Sequence, residues 1–221
     1  MKTNLIIGTR QSLLALWQSN HIADLLRRQY PECTVTLKKI ITKGDRILDV
    51  PLAKIGGKGL FTKELETALL EGEIDLAVHS LKDMPTVLPE GLCLTAVTKR
   101  ANAGDAFVSN KYASIETLPQ GAVLGTSSLR RKAQLLSARQ DLKIVDLRGN
   151  VDTRLRKIDD GQMDAIILAA AGLTRLGYTD RIREIIPHNF CLPAVGQGAL
   201  AIECRTDNTE ETAMLNYLNE L

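Results

Sequence analysis

Short apolar runs alternate along this chain with longer stretches of helical spacing, which is the pattern of strands followed by helices. The expected strands lie at residues 5–10, 34–43, 74–79, 122–125, 143–147, 165–171 and 199–204. The expected helices lie at residues 13–28, with Ser12 as the cap of the first, and at 61–71, 129–139, 151–160 and 210–221. Because strand and helix alternate, the pattern predicts an α/β fold with parallel sheets.

The pattern starts again near residue 105, and a segment rich in proline and glycine at residues 187–198 interrupts it. We therefore expect two α/β domains, one formed by residues 1–99 with 199–221 and the other by residues 100–198. The last strand and helix return to the first domain. Such a double crossing of the chain would place a hinged cleft between the domains.

Composition narrows the class of protein. Hydrophobic residues at 44% and charged residues at 24% are ordinary for a globular protein, and aromatic residues at only 4% imply an aliphatic core. The 28 basic and 26 acidic residues nearly cancel, which argues against a dedicated nucleic-acid binder. The sequence has no membrane-spanning run and no signal-peptide core near its start. Its four cysteines lack Cys-x-x-Cys spacing, so we expect free thiols in a reducing cytoplasm.

Polar and cationic side chains follow four of the predicted strands, where open parallel sheets bind their ligands. Arginine offers a planar fork for carboxylates, and a hydroxyl-rich turn before a helix can hold an anion. A single arginine on a helix is commonly just solvated, but this set favours a site for a small polyanion. Its members are Thr9, Arg10, Lys82, Asp83, Thr126, Ser127, Ser128, Arg130, Arg131, Arg148, Gly149, Asn150 and Arg154.

Asp83 is the acidic member of this basic set. Neighbouring cations would lower its pKa and keep it ionised, so it could steady a cationic intermediate or pass a proton. A structural ion pair, with Lys82 or an arginine, explains its position equally well. His79 lies on an apolar strand and is expected to be a core residue. No His or Cys has partners spaced for zinc, so no metal site is expected.

Six segments of the sequence, in order, resemble hydroxymethylbilane synthases (porphobilinogen deaminases). They are residues 8–18 (GTRQSLLALWQ), 56–64 (GGKGLFTKE), 75–85 (DLAVHSLKDMP), 125–131 (GTSSLRR), 147–155 (LRGNVDTRL) and 192–199 (LPAVGQGA). The resemblance implies two domains like those of periplasmic binding proteins, with an active cleft between them and a third domain beyond this chain. It also implies the family's reaction, in which four porphobilinogens lose ammonia and join into linear hydroxymethylbilane.

The resemblance also implies roles for individual residues. Asp83 matches the catalytic carboxylate, which faces the pyrrole nitrogens and the cation formed as ammonia leaves. Gly56, Gly57, Lys58 and Gly59 match the mobile loop over the cleft; they lack the pattern of a phosphate-binding loop. The residues implied to bind the acetate and propionate groups of substrate and cofactor are Arg10, Ser12, Gln18, Lys82, Thr126, Ser127, Ser128, Arg130, Arg131, Arg148, Arg154, Arg175 and Gln197.

The family's dipyrromethane cofactor is held by a cysteine in a Leu-x-Gly-Gly-Cys motif, which none of Cys33, Cys93, Cys191 and Cys204 matches. We therefore expect the attachment cysteine to lie outside this chain, and residues 1–221 alone to lack the cofactor and to be inactive. The resemblance implies a cytoplasmic monomer that takes porphobilinogen as substrate, with no nucleic-acid or membrane partner.

Two other functions compete with this one. A non-catalytic anion-binding module could use the same fold, although it would gain nothing from an aspartate in its basic site. An effector-binding domain of a transcription factor would need an attached helix-turn-helix, and no such pattern is evident.

Overall fold

A computed structural model of the protein describes residues 2–46 and 59–219, which form two compact units. Unit 1 contains the described residues up to 46, residues 59–100 and residues 199–219, and unit 2 contains residues 101–198. The strands are β1 (Asn4–Thr9), β2 (Thr34–Lys39), β3 (Leu76–Ser80), β4 (Leu92–Val97), β5 (Asp105–Val108), β6 (Val123–Gly125), β7 (Lys143–Val145), β8 (Ala165–Ala169), β9 (Glu184–Ile185) and β10 (Leu200–Arg205). The helices are α1 (Leu13–Gln29), α2 (Lys43–Arg46), α3 (Lys63–Leu70), α4 (Leu129–Ala138), α5 (Val151–Asp159), α6 (Ala170–Arg175) and α7 (Thr209–Leu215).

Unit 1 is built on a mixed sheet in the order β2-β1-β3-β10-β4. β1 is parallel to β2 and β3, whereas β10 is antiparallel to both of its neighbours. The predicted parallel pairing is confirmed for β1, β2 and β3 and is wrong for β10, which returns from unit 2 and enters the sheet in the opposite direction. Leu200 of β10 lies opposite Ser80, so β10 starts where β3 ends.

Unit 2 is built on a second mixed sheet, in the order β7-β6-β8-β5-β9. β6 is parallel to β7 and β8, so these three strands end at the same edge of the sheet. β5 runs antiparallel to β8, with Asp105 opposite Ala169, which places the first residue of β5 at that same edge. The expectation of parallel strands is wrong for β5 as well.

The cores are mainly aliphatic, as the composition predicts. In unit 1, Leu5 and Ile7 of β1 pack with Ile22 and Leu26 on the buried face of α1. In unit 2, Phe107 is fully buried in a cluster that is otherwise largely aliphatic. Burying such side chains is the main favourable contribution to folding, at roughly 1.5–3 kcal/mol for each large one.

His79 is a core residue, as expected, and its Nε2 atom lies 3.1 Å from Oε2 of the fully buried Glu203. All four cysteines are free thiols, and three of them are buried. Cys93 is the exception, since it is only partly buried. It lies beside Cys204 on the neighbouring strand, with 3.9 Å between the sulfur atoms.

Several predicted boundaries change in the structure. The apolar run at 165–171 is a strand only as far as Ala169, after which Ala170 begins a helix. The final helix ends at Leu215 and continues as a short 3₁₀ turn over Asn216–Leu218. Strands β4, β5 and β9 were not predicted. Within the described ranges, no helix has the length and apolar character needed to cross a membrane.

Candidate active site

The ends of β1 and β3 carry the predicted site residues of unit 1. Because the two strands are parallel neighbours, the residues that follow them lie at one edge of the sheet. Arg10 directly follows β1, while Lys82 and Asp83 occupy a 3₁₀ turn, Leu81–Asp83, directly after β3. Lys82 and Asp83 are both exposed, and this edge therefore presents a carboxylate and an ammonium group to solvent.

The guanidinium group of Arg10 is held on two sides. Its Nε atom donates to the carboxylate of Asp45 at 3.1 Å, and its Nη2 atom donates to the same carboxylate. Its Cζ atom lies 4.2 Å from the centre of the Phe61 ring, which is a cation–π contact. Burial would raise the pKa of Asp45, but hydrogen bonds from Arg10 and Thr42 lower it. Neither Asp45 nor Phe61 was among the predicted site residues.

Ser12 and Gln18 both have structural partners. Ser12 is the N-cap of α1, and its hydroxyl accepts a hydrogen bond from the backbone N–H of Ala15 at 3.3 Å. Gln18 is only 3% exposed, and its Nε2 atom donates to the hydroxyl of Ser80 at 2.8 Å. Since Ser80 is the last residue of β3, Gln18 connects α1 to the turn that carries Lys82 and Asp83.

The hydroxyl-rich turn of unit 2 lies between β6 and α4. The Thr126 hydroxyl accepts from the backbone N–H of Ser128 at 3.2 Å, and the Ser128 hydroxyl caps α4 by accepting from the N–H of Arg131. Ser127 donates to the carbonyl of Leu147 at 2.9 Å, which ties this turn to the segment that follows β7. The Thr126 and Ser128 hydroxyls act here as acceptors, so their own protons can be donated to an acid group.

Arg130 and Arg131 share one buried carboxylate, that of Asp105. Arg131 is buried, and its Nη2 atom donates to Asp105 at 2.7 Å while Nη1 donates to the carbonyl of Ile167 at 3.1 Å. Arg130 is a quarter exposed, lies 2.8 Å from the other oxygen of Asp105 and donates to the carbonyl of Leu192. Nε2 of the buried Gln197 also donates to Asp105, at 2.8 Å.

Three further arginines of the predicted set lie close to this edge of unit 2. Arg148 is half-buried after β7. Arg154 of α5 donates to the carbonyl of Gly149 at 2.8 Å. Arg175 is the last residue of α6, the helix that directly follows β8, and it donates to the carbonyl of Gly198 at 2.7 Å. Gly149 has a φ of 109°, which favours glycine at the turn that leads into α5.

The structure thus gathers the predicted residues into two sets, one at the sheet edge of each unit. Of the predicted loop residues, Gly56, Gly57 and Lys58 lie outside the described residues, and Gly59 has a φ of 80°. In the part of the chain that the structure describes, no group of three or more His, Cys, Asp or Glu side chains could hold a metal ion. Arginine forks and hydroxyls dominate the set of unit 2, and the set of unit 1 contains the cationic Arg10 and Lys82; such groups bind carboxylates.

The fold resembles that of two-domain binding proteins. A putative methionine-binding lipoprotein from Bacillus subtilis superposes with a TM-score of 0.57 at 12% identity, covering 99% of this chain and 91% of that protein. A double mutant of the BvgS VFT2 domain from Bordetella pertussis gives a TM-score of 0.58 at 15% identity, covering 97% and 85% of the two chains. At such low identity these likenesses define the fold class, that of periplasmic binding proteins, as predicted.

The sequence defines the family within that fold class. The family described as "Porphobilinogen deaminase, dipyromethane cofactor binding domain" matches residues 5–213. A porphobilinogen deaminase from Desulforamulus reducens is 57% identical over 218 residues, which is 99% of this chain and 70% of the relative. The chain belongs to the porphobilinogen deaminase family, as the six sequence segments predict.

Proposed function

We propose that this protein acts as the hydroxymethylbilane synthase that its family membership indicates. The enzyme, a transferase, removes ammonia from four porphobilinogen molecules and joins them into hydroxymethylbilane, the linear tetrapyrrole of porphyrin and haem biosynthesis. The observation that carries this function is the exposed carboxylate of Asp83, which lies at a sheet edge with Lys82 and Arg10. A simple anion trap has no use for a carboxylate in that position.

The cationic residues match the charge of the substrate. Each porphobilinogen ring carries an acetate and a propionate group, so a growing chain gains two negative charges with every ring. Arginine binds such groups through paired N–H donors, and hydroxyls supply further hydrogen bonds. The proposed binding residues are Arg10, Ser12, Gln18, Lys82, Thr126, Ser127, Ser128, Arg130, Arg131, Arg148, Arg154, Arg175 and Gln197.

Asp83 is proposed as the catalytic carboxylate. Positive charge develops on the substrate as ammonia departs. An ionised carboxylate beside that charge stabilises the transition state more than the neutral substrate, and this difference accelerates the loss of ammonia. The same carboxylate can accept a proton from a pyrrole nitrogen and return it. Gln18 would act on this group indirectly, because it holds Ser80 at the start of the turn that carries Asp83.

The residues present fit the family's dipyrromethane cofactor. Arg130 and Arg131 have one carboxylate between them, which leaves one positive charge for an acid group of a ligand. When bound, the cofactor supplies the pyrrole position to which the first substrate is joined. Arg130, Arg131 and the hydroxyls of Thr126 and Ser128 would hold its acid groups, while Ser127, whose proton is donated to the carbonyl of Leu147, would keep this turn in place.

We further propose that the cysteine that anchors the cofactor lies outside residues 1–221. Three of the four thiols are buried, and burial raises the pKa of Cys33, of Cys191 and, to about 11, of Cys204. Buried, protonated thiols are poor nucleophiles. Cys93 is only partly buried, but it does not stand in the family's Leu-x-Gly-Gly-Cys motif, so residues 1–221 expressed alone should have the mass of the bare polypeptide. Buried free thiols also suit a cytoplasmic enzyme, which we propose to be a monomer.

The test is to incubate the full-length protein with porphobilinogen. We expect one ammonia for each porphobilinogen consumed, and porphyrin absorbance after acid treatment and oxidation of the product. Saturable binding of porphobilinogen without ammonia release would instead identify a binding module, and would contradict the proposed function.

A further inference from the structure

Asp105 is a fully buried carboxylate at the sheet edge that carries the binding residues of unit 2. Oδ1 accepts hydrogen bonds from Arg131 at 2.7 Å and from Gln197 at 2.8 Å. Oδ2 lies 2.8 Å from Nη1 of Arg130 and accepts from the Cys191 thiol at 3.5 Å. Three of the four side chains around this carboxylate are thus residues proposed to bind the ligand.

The contacts of Asp105 join two separate segments of the chain. Arg130 and Arg131 belong to the first turn of α4, whereas Cys191 and Gln197 lie in the irregular segment that precedes β10. The link is reinforced next to the carboxylate, where Gln134 of α4 accepts from the N–H of Leu192 at 2.8 Å. One carboxylate therefore fixes the position of α4 relative to the segment that contains Gln197.

The charges around Asp105 do not balance. Two guanidinium groups share one carboxylate, and the neighbouring Cys191 is a neutral thiol because burial raises its pKa. Nε of Arg131 is a buried donor that has no hydrogen-bond partner among the residues the structure describes. Arg131 is buried and Arg130 is three-quarters buried, so their surplus positive charge is only partly solvated and this cluster favours the binding of one further acid group.

We propose that Asp105 is a positioning residue for ligand binding: it holds Arg130 and Arg131 side by side so that their remaining charge meets a carboxylate of the substrate or cofactor. This inference rests on the proposed function. Two adjacent guanidinium groups repel each other, and Asp105 offsets that repulsion by pairing with both. Without its charge, the two side chains would separate and the buried Arg131 would lose its only ionic partner among the described residues.

The first test substitutes Asp105→Asn in the full-length protein, which keeps the size of the side chain and removes its charge. We expect the KM for porphobilinogen to rise about tenfold, the effect of losing one hydrogen bond to a charged group, while kcat changes much less. Loss of the cofactor mass from a folded variant would support the same role, because Arg130 and Arg131 would then fail to hold its acid groups.

Asp141→Asn is the matched control. Asp141 also pairs with an arginine of unit 2, Arg139, at 2.7 Å, and this hydrogen bond lowers the pKa of Asp141 to about 2. It has no part in the proposed site, so this variant should keep its KM and its cofactor mass. If Asp105→Asn lowers only the melting temperature, with an unchanged KM and cofactor mass, Asp105 is merely structural and the proposal is wrong.

A double-mutant cycle tests whether Asp105 acts through Arg130. The effects of Asp105→Asn and Arg130→Gln on KM should be clearly less than additive if one residue positions the other. Full additivity would overturn the inference.

A second variant keeps the inference testable if Asp105→Asn does not fold. Gln197→Leu removes a hydrogen-bond donor from the carboxylate of Asp105 and should also raise the KM for porphobilinogen. An unchanged KM in this variant would overturn the inference. Failure of the wild-type protein to release ammonia would instead count against the proposed function.

Discussion

Arg10 donates two hydrogen bonds to the carboxylate of Asp45, so an acidic side chain of the protein contacts a guanidinium that is proposed to bind an acidic ligand. The pair is mostly buried, with 21% of the Arg10 side chain and 18% of the Asp45 side chain exposed. Asp45 accepts hydrogen bonds from Nε and Nη2 of Arg10, and the Phe61 ring covers one face of the guanidinium group. A ligand carboxylate would therefore approach Arg10 at Nη1 or on the face opposite Phe61.

The Asp45 carboxylate should stabilise the protein in a pH-dependent way. Its pKa in the folded protein is lowered, so its contribution is present above the unfolded pKa and is lost as the pH falls through the folded pKa. Asp45→Asn should therefore lower the free energy of unfolding at pH 7 by roughly 0.5–1 kcal/mol, with the difference shrinking below about pH 4. Urea unfolding at both pH values measures this.

Asp24→Asn is the control for that measurement. Asp24 pairs with Arg27 on the surface of α1, where both side chains are about half exposed, so the change should have little effect at either pH. A difference between Asp45→Asn and the wild type that persists unchanged in acid would mean that the charge of Asp45 is not what stabilises the protein.

The hydrogen bond between Gln18 and Ser80 should be important for both stability and turnover. Gln18→Leu leaves the Ser80 hydroxyl without its buried donor and should cost about 1–3 kcal/mol of unfolding free energy. Because the 3₁₀ turn with Asp83 directly follows Ser80, we also expect a lower kcat. Denaturant unfolding and steady-state kinetics measure the two effects. Combined with Ser80→Ala, the losses should not add, and strict additivity would show that the two side chains are not coupled.

Ser12 caps α1 and is also proposed to bind the ligand, and substitutions can separate these two roles. Ser12→Ala removes the N-cap of α1 and should cost about 1 kcal/mol of stability, together with a higher KM for porphobilinogen. Ser12→Asp keeps a capping oxygen and so should recover the stability, but it should raise KM further because its charge repels the acid groups of the ligand. Thermal unfolding and KM measured on the same preparations test this. A KM restored by aspartate would remove Ser12 from the binding set.

The sequence predicted the parts of the fold that depend on local signals. Ser12 caps α1, as predicted, because a hydroxyl before an amphipathic stretch is a strong start signal, and α4 begins at the predicted Leu129. It did not predict that β10 lies between β3 and β4, since strand order depends on contacts between residues far apart in the chain. It missed β5 because Asp105–Val108 is only four residues long and fully buried, with no alternation to reveal it.

The sequence also did not reveal the contacts between distant residues that form the candidate site. Arginines that follow strands were visible as a set, because open α/β sheets bind ligands at strand ends. The partners that orient them were not visible: Asp105 lies 26 residues before Arg131, and Asp45 lies 35 residues after Arg10. An arginine on a helix is usually a surface residue, so the burial of Arg131 could be recognised only once β5 and its carboxylate were in place.

The central claim is that an ionised Asp83 assists the loss of ammonia from porphobilinogen. Asp83 is exposed in its turn, so Asp83→Asn in the full-length protein should leave the melting temperature and the cofactor mass unchanged. Its kcat for porphobilinogen consumption should nevertheless fall by about a hundredfold or more, the usual loss when such a group is removed. The decisive measurement is this kcat, taken on protein whose intact mass includes the cofactor. A hundredfold loss is the predicted result, and near-normal formation of hydroxymethylbilane would contradict the account.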